Sequence, residues 1–170
     1  MRQILMLVRH AIAILVLPFM VIFVIPRWLV NGYGSMTQWR SHGLQLLGHL
    51  AGGFFLIVGF SLFLWCLYLF AASGKGTLAP WDPPKRLVVT GPYRYVRNPM
   101  ISGVLMIVAG EALVHGSLTL GAWFGFFLLL NQVYFMIMEE PMLEARFGED
   151  YRRYKAEVPR WLPRITPWEL

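Results

Sequence analysis

The sequence predicts an all-α integral membrane protein with about four transmembrane helices in one domain that spans residues 1–170. Apolar residues make up 57% of the chain and charged residues only 14%, against about 25% in soluble proteins. Several apolar runs are as long as the ~20 residues that a membrane-spanning helix needs. The net charge of +6 comes from cations beside these runs, which indicates anionic membrane lipids rather than nucleic acid as the partner.

The first two apolar runs predict spans at about 6–30 and 44–72. Pro18 predicts a kink in the first, because proline removes a helix hydrogen bond. The second span carries Gly48 and Gly52, and this spacing of small residues allows another helix to approach closely.

The third and fourth spans are predicted at about 99–115 and 117–139. The apolar stretch is too long for one helix, and Gly110–Gly116 contains a charge and two glycines, which is typical of a tight turn. Gly121 and Gly125 repeat the close-approach spacing in the fourth span.

Two polar segments flank the last two spans. Residues 73–98 form a loop rich in glycine and proline, and loops of that length are often functional. In the tail, 140–170, repeated prolines exclude one long helix. We expect a helix to about Ala145, a break at Phe147-Gly148, a short helix to about Glu157 and an extended end.

The distribution of cations predicts the orientation. With four spans, thirteen of the fifteen Lys and Arg residues fall on one side of the membrane, and only Arg27 and Arg40 fall on the other. Cytoplasmic segments carry the excess of Lys and Arg. We therefore expect an inner or plasma membrane protein with both termini, the central loop and the tail on the cytoplasmic face.

The segment Gly91–Pro99, with the sequence GPYRYVRNP, allows two interpretations. Asn98 is a favoured helix N-cap and Pro99 suits the first helical position, so the segment could simply start the third span and contact lipid. Alternatively, the unpaired N–H groups of that helix end, together with Arg97, could bind the carboxylate of an amino-acid-like ligand.

The adjacent carboxylates of Glu139 and Glu140 end the fourth span. Two adjacent carboxylates are costly next to hydrocarbon. Either they lie at a helix end that water solvates, or they bind a cation or ribose hydroxyls. Gln132, Met136 and Glu139 fall at positions i, i+4 and i+7 of a helix, so we expect all three on one face, which looks into the bundle.

The tail motif runs from Phe147 to Lys155 and continues through Val158–Pro163, VPRWLP. Its charges could form an amphipathic surface helix, or its aromatic residues could fold over a pocket as a lid. Elsewhere, the four histidines lack metal-ligand spacing, and we find neither a phosphate-binding glycine loop nor a nucleophile elbow.

In order and spacing, these three motifs resemble the isoprenylcysteine carboxyl methyltransferase family, which is similar to phospholipid N-methyltransferases. The resemblance covers about Gly91–Pro163. Asn98 stands where that family has histidine, and Ile101 stands where it often has an aromatic residue. The resemblance implies an S-adenosylmethionine-dependent methyltransferase that acts on a lipid-like methyl acceptor, such as a prenylcysteine carboxylate or phospholipid amine. The sequence does not identify the acceptor, and a small thiol and an isoprenoid-like lipid are further alternatives. It also implies that the loop and tail close a cofactor pocket at the cytoplasmic face.

The resemblance implies a set of catalytic and cofactor-binding residues and no metal ligands. Catalytic roles fall to Arg97, Glu140 and Arg146. The residues expected to bind the cofactor are Tyr93, Arg97, Asn98, Pro99, Met100, Gly103, Glu139, Glu140, Tyr151, Tyr154 and Arg160. Methyl transfer is an in-line displacement that depends mainly on orientation in a dry site, which is worth ~7–11 kcal/mol. The alternatives are a non-catalytic membrane scaffold or carrier, and a nicotinamide-dependent membrane reductase.

Overall fold

The computed structural model describes residues 17–33, 39, 41–73, 87 and 89–169. Its regular elements are all helical, which confirms the all-α class for this part of the chain. They are a π-helical segment Met20–Val24, α1 (Ile25–Tyr33), α2 (His42–Ser73), a 3-10 turn Gly91–Arg94, α3 (Pro99–His115), α4 (Leu118–Tyr134), a π-helical segment Phe135–Glu139, α5 (Glu140–Phe147) and α6 (Glu149–Glu157). Most of the predicted loop 73–98 and the start of the span 6–30 lie outside the described residues.

Two of the described helical stretches are long and apolar enough to cross a membrane, His42–Leu69 and Leu118–Phe147. Two shorter apolar helices lie at Leu17–Gly32 and Pro99–His115. Helix α2 leaves large apolar side chains such as Ile57 exposed, as a lipid-facing helix does. The chain is a membrane protein, while the count of four spans and the cytoplasmic position of both termini stay predictions.

Helices α2 and α3 pack closely through glycines. A Cβ on Gly52 would lie 2.7 Å from the Gly110 carbonyl oxygen, and a Cβ on Gly59 would lie 2.7 Å from that of Gly103. A Cβ on Gly48 would overlap the Trp39 ring. Only hydrogen fits at these positions, so the glycines let the two backbones meet. The close approach predicted at Gly48 and Gly52 is confirmed.

The turn between α3 and α4 lies at Gly116, between the predicted spans 99–115 and 117–139, but it is shorter than the predicted turn segment Gly110–Gly116. Gly110 is inside α3 because it is needed against α2, and the chain turns at Gly116, which adopts φ +57°. The Ser117 hydroxyl then caps α4 by accepting a backbone N–H at 3.3 Å. The close approach predicted at Gly121 and Gly125 is not found, since no described atom comes within 4 Å of a Cβ built on either glycine.

The first described helix contains a π-helical segment just after Pro18, where the sequence predicts a kink. Proline breaks the regular hydrogen-bond ladder, and π-bulges are a common way to accommodate that break. Within this segment, the Val21 carbonyl accepts a hydrogen bond from Trp123 Nε1 at 3.2 Å. This bond ties the first helix to α4.

The second π-helical segment, Phe135–Glu139, changes which side chains face the bundle. Pro141 has no backbone N–H to continue a regular ladder. The wider turn leaves Met136 55% exposed, while Glu139 is partly buried. The prediction that Gln132, Met136 and Glu139 share an inward face was therefore wrong for Met136.

The tail follows the predicted pattern and returns to the start of α3. Gly148, with φ +56°, separates α5 from α6, and no regular element follows α6 in the described chain. The extended end pairs with the segment before α3 through three backbone hydrogen bonds of 2.9–3.0 Å. They are Arg97 N to Pro159 O, Arg164 N to Tyr95 O, and Trp168 N to Arg94 O. The tail is thus held over the N-terminal end of α3.

Candidate functional site

The N-terminus of α3 is built as the sequence predicts. Asn98 is its N-cap residue and Pro99, which is fully buried, is its first helical residue. The Asn98 carbonyl accepts hydrogen bonds from the Ser102 N–H at 3.0 Å and hydroxyl at 2.9 Å. The Asn98 side chain makes no capping bond, so proline geometry rather than a side-chain cap begins the helix here. Arg97 is held directly before this positively polarised end.

Arg97 is almost completely enclosed, with 11% of its side chain exposed. Its Nη1 donates to Glu140 Oε1 at 2.8 Å, and its guanidinium lies beside the Tyr151 hydroxyl. Its Nε is buried and has no hydrogen-bond partner in the described structure. Buried N–H groups of this kind are rare because leaving one unpaired is costly. Arg97 therefore has a donor left for a ligand.

Glu140 is the centre of a buried ion-pair network, with 8% of its side chain exposed. Besides Arg97, its Oε1 accepts from Arg160 Nε at 2.9 Å and Nη2 at 2.5 Å. Its Oε2 lies 3.1 Å from Lys155 Nζ. Both carboxylate oxygens are thus occupied by cations from three separate segments. Glu140 positions Arg97 and Arg160 and has little capacity left for a ligand.

Glu139 has the opposite environment. It is partly buried, yet its carboxylate makes no hydrogen bond or ion pair to any described residue. The opposite charges that act on it are those of Arg160 and Arg97. A carboxylate taken out of water without a partner is costly unless something else binds it. Glu139, rather than Glu140, is the carboxylate available for a cation or a hydroxyl.

Tyrosines enclose the charged cluster. Tyr151 and Tyr154 are each 3% exposed, and the Tyr154 hydroxyl donates to the Tyr93 carbonyl at 2.7 Å. Burial, with the nearby charge of Glu140, raises the pKa of Tyr151 to about 12. Burial also raises the pKa of Tyr154 and of Tyr93 above the usual value for a phenol. All three stay neutral near pH 7 and exclude water from the cluster.

The remaining predicted site residues lie apart from the charges. Met100 is buried in the core between the helices, and Gly103 is used against Gly59 and Phe63 of α2. Arg146 is exposed, with its guanidinium 5.8 Å from the centre of the Phe147 ring. The structure thus gathers most of the predicted site but not these three. The residues it brings together are Tyr93, Arg97, Asn98, Pro99, Glu139, Glu140, Tyr151, Tyr154 and Arg160.

The sequence interpretation missed Lys155 as a member of the network. The signal was present, because Lys155 follows the buried Tyr151 by four residues in α6 and therefore shares its inward face. A second missed contact joins Trp161 Nε1 to Gln132 Oε1 at 2.8 Å. No sequence spacing links those two residues, since they lie on α4 and the tail.

Together these groups place complementary charges near one another. The unpaired Arg97 Nε and the N-terminus of α3 favour an anion, while Glu139 favours a cation or hydroxyls. Glu140 follows Glu139 directly in sequence and is hydrogen-bonded to Arg97, which brings the two free groups to the same region. An amino-acid group, with one carboxylate and one ammonium, has matching chemistry.

Comparison with known proteins agrees with this geometry. A family model described as phospholipid methyltransferase matches residues 47–150. A protein of Haemophilus influenzae, named only as an uncharacterized protein, is 42% identical over 65 residues, which are 36% of this chain and 97% of that protein. No solved structure matches the chain. The family match includes Arg97, Glu139 and Glu140 and ends just before Tyr151.

Proposed function

Because the chain belongs to the phospholipid methyltransferase family, we propose that it transfers a methyl group from S-adenosylmethionine to a lipid-like substrate in the membrane. The observation that carries the proposal is the pair of unsatisfied groups beside one ion-pair network. These are the buried Arg97 Nε and the Glu139 carboxylate, neither of which has a hydrogen-bond partner among the described residues. The cofactor carries an amino-acid group and ribose hydroxyls that suit both.

In this proposal, Arg97 Nε and the N-terminus of α3 hold the cofactor carboxylate. Glu139 holds the ammonium or the ribose hydroxyls. Glu140 and Arg160 act as positioning residues, because they lock the guanidinium of Arg97 in place. Arg146, being exposed, is placed to meet an anionic part of a lipid rather than the cofactor.

The cofactor supplies an activated methyl group on a sulfonium, so the chain mainly has to align the acceptor and keep the site dry. Tyr93, Tyr151 and Tyr154 exclude water from the network, and the tail covers it through its backbone pairing. Orientation of this kind is worth ~7–11 kcal/mol of a reaction barrier. The family description favours a phospholipid amine as acceptor, and a prenylcysteine carboxylate is the second class to test.

Calorimetry on the purified protein in detergent tests the cofactor. We expect saturable binding of S-adenosylmethionine and of its demethylated product, and no binding of NADPH. Binding of NADPH alone would indicate a reductase. Binding of neither, by protein with an intact thermal transition, would favour a scaffold or carrier.

A further inference from the structure

The segment of residues 158–169 that follows α6, here called the tail loop, carries two large apolar side chains that are mostly exposed in the described structure. Leu162 is 79% exposed and Ile165 is 98% exposed. Backbone hydrogen bonds hold this loop on both sides of the two side chains: the Arg97 N–H to Pro159 carbonyl bond of 2.9 Å, the Arg164 N–H to Tyr95 carbonyl bond of 3.0 Å and the Trp168 N–H to Arg94 carbonyl bond of 2.9 Å. A rigidly held loop that presents bulky apolar side chains outward has the form of an interaction surface.

Contacts of Trp161 place this loop against the apolar helical stretch Leu118–Phe147. The Trp161 indole donates to Gln132 of α4 and lies 5.6 Å from the Phe135 ring, centre to centre. Gln132 is about 10 Å along the helix axis from Glu139, toward the interior of the apolar stretch Leu118–Phe147. The Trp161 side chain therefore reaches along α4 beyond the carboxylates, while Arg160 holds the loop itself beside Glu140.

The neighbouring surface of α4 faces lipid. Val133 and Ile137, on either side of the Trp161 contact, are 52% and 66% exposed in a stretch long enough to cross the membrane. Leu162 directly follows Trp161, so the exposed part of the loop begins one residue from this contact.

We propose that Leu162 and Ile165 insert into the boundary between headgroups and acyl chains, and that the bilayer is the partner of this loop. The membrane would then help to hold the segment in which Arg160 forms its ion pair with Glu140. The inference rests on the membrane location of the helices and does not depend on the methyltransferase activity.

Site-directed fluorescence tests the insertion. The native Cys66 is replaced by alanine, and an environment-sensitive label is attached to a single new cysteine, Leu162→Cys or Ile165→Cys. Ala156→Cys, on the exposed side of α6, is the matched control. Each protein is placed in nanodiscs of phosphatidylcholine and phosphatidylglycerol that hold one copy. Quenching is measured with a nitroxide lipid labelled near the glycerol and with aqueous iodide.

We expect blue-shifted emission at both tail positions, with several-fold stronger quenching by the nitroxide lipid and weaker quenching by iodide than at position 156. Full iodide access without lipid quenching at both tail positions would overturn the proposal. A blue shift that appears only in nanodiscs with two copies would also overturn it, because a second copy would then cover the loop.

Discussion

Two neighbouring substitutions, Glu139→Gln and Glu140→Gln, separate the roles that the structure gives to the acidic pair. Each removes one negative charge and keeps the volume of the side chain, so each is the matched control of the other. The two carboxylates differ in their partners, since Glu140 meets three cations and Glu139 meets none of the described residues at hydrogen-bonding distance. The substitutions should therefore affect different measurements.

At Glu140, the substitution removes the charge that balances Arg97 and Arg160, whose side chains are only 11% and 14% exposed. Breaking a buried ion pair costs ~3–5 kcal/mol. The amide oxygen of glutamine still accepts one hydrogen bond, so we expect a loss of about 3 kcal/mol, at the lower end of that range. For a chain of this size, ~1 kcal/mol moves Tm by about 2–4 °C, so Tm in detergent should fall by about 6–12 °C.

At Glu139, the same substitution should leave Tm unchanged or raise it slightly, because an unpartnered carboxylate is replaced by a neutral amide. Cofactor affinity should instead fall by about 10–150-fold, which corresponds to the ~1.5–3 kcal/mol of one charged hydrogen bond. Thermal unfolding and calorimetry on both variants check the two effects. An equal fall in Tm for both, or an unchanged Tm for Glu140→Gln, would refute the division of roles.

Three further predictions follow from the contacts. Gly52→Leu should prevent the packing of α2 on α3 and lower Tm by well over 10 °C or abolish folding, whereas Gly121→Leu, in open space, should change Tm little. Arg97→Lys should weaken cofactor binding about tenfold, because lysine has no counterpart of Nε, while Arg153→Ala, whose ion pair with Glu149 is exposed, should leave it unchanged. Reporter fusions at the C-terminus and near Ser35 should read as cytoplasmic and external respectively, and a cytoplasmic signal near Ser35 would exclude the four-span topology.

Local signals in the sequence predicted most helix positions. Asn98-Pro99 marked the start of α3, and glycine followed by acidic residues at Gly148 marked the break between α5 and α6. Such features depend on neighbouring residues only. The turn before α4 was predicted at the right end of α3 but too long, because Gly110 looked like part of a turn, whereas it lies inside α3 and contacts α2, a distant part of the chain.

The sequence indicated most of the residues that lie together at the site, but it did not indicate which of the two carboxylates would be paired with cations. The motifs pointed to both carboxylates as ligands for a cofactor. The π-helical segment that turns Glu139 inward, and the arrival of Lys155 and Arg160 at Glu140, are tertiary features. Adjacent residues with the same chemistry become different only when the fold gives one of them partners.

The most direct test of the central proposal is a methyl-transfer assay with the purified protein in vesicles of total membrane lipid and S-adenosylmethionine labelled in its methyl group. We predict that label enters a lipid product, that the product is identified as a methylated amine or carboxylate, and that Glu139→Gln strongly reduces the rate. Protein that is folded and binds the cofactor, yet transfers no label to any lipid fraction, would contradict a lipid-like acceptor. Transfer that is unaffected by both Glu139→Gln and Arg97→Lys would contradict the site.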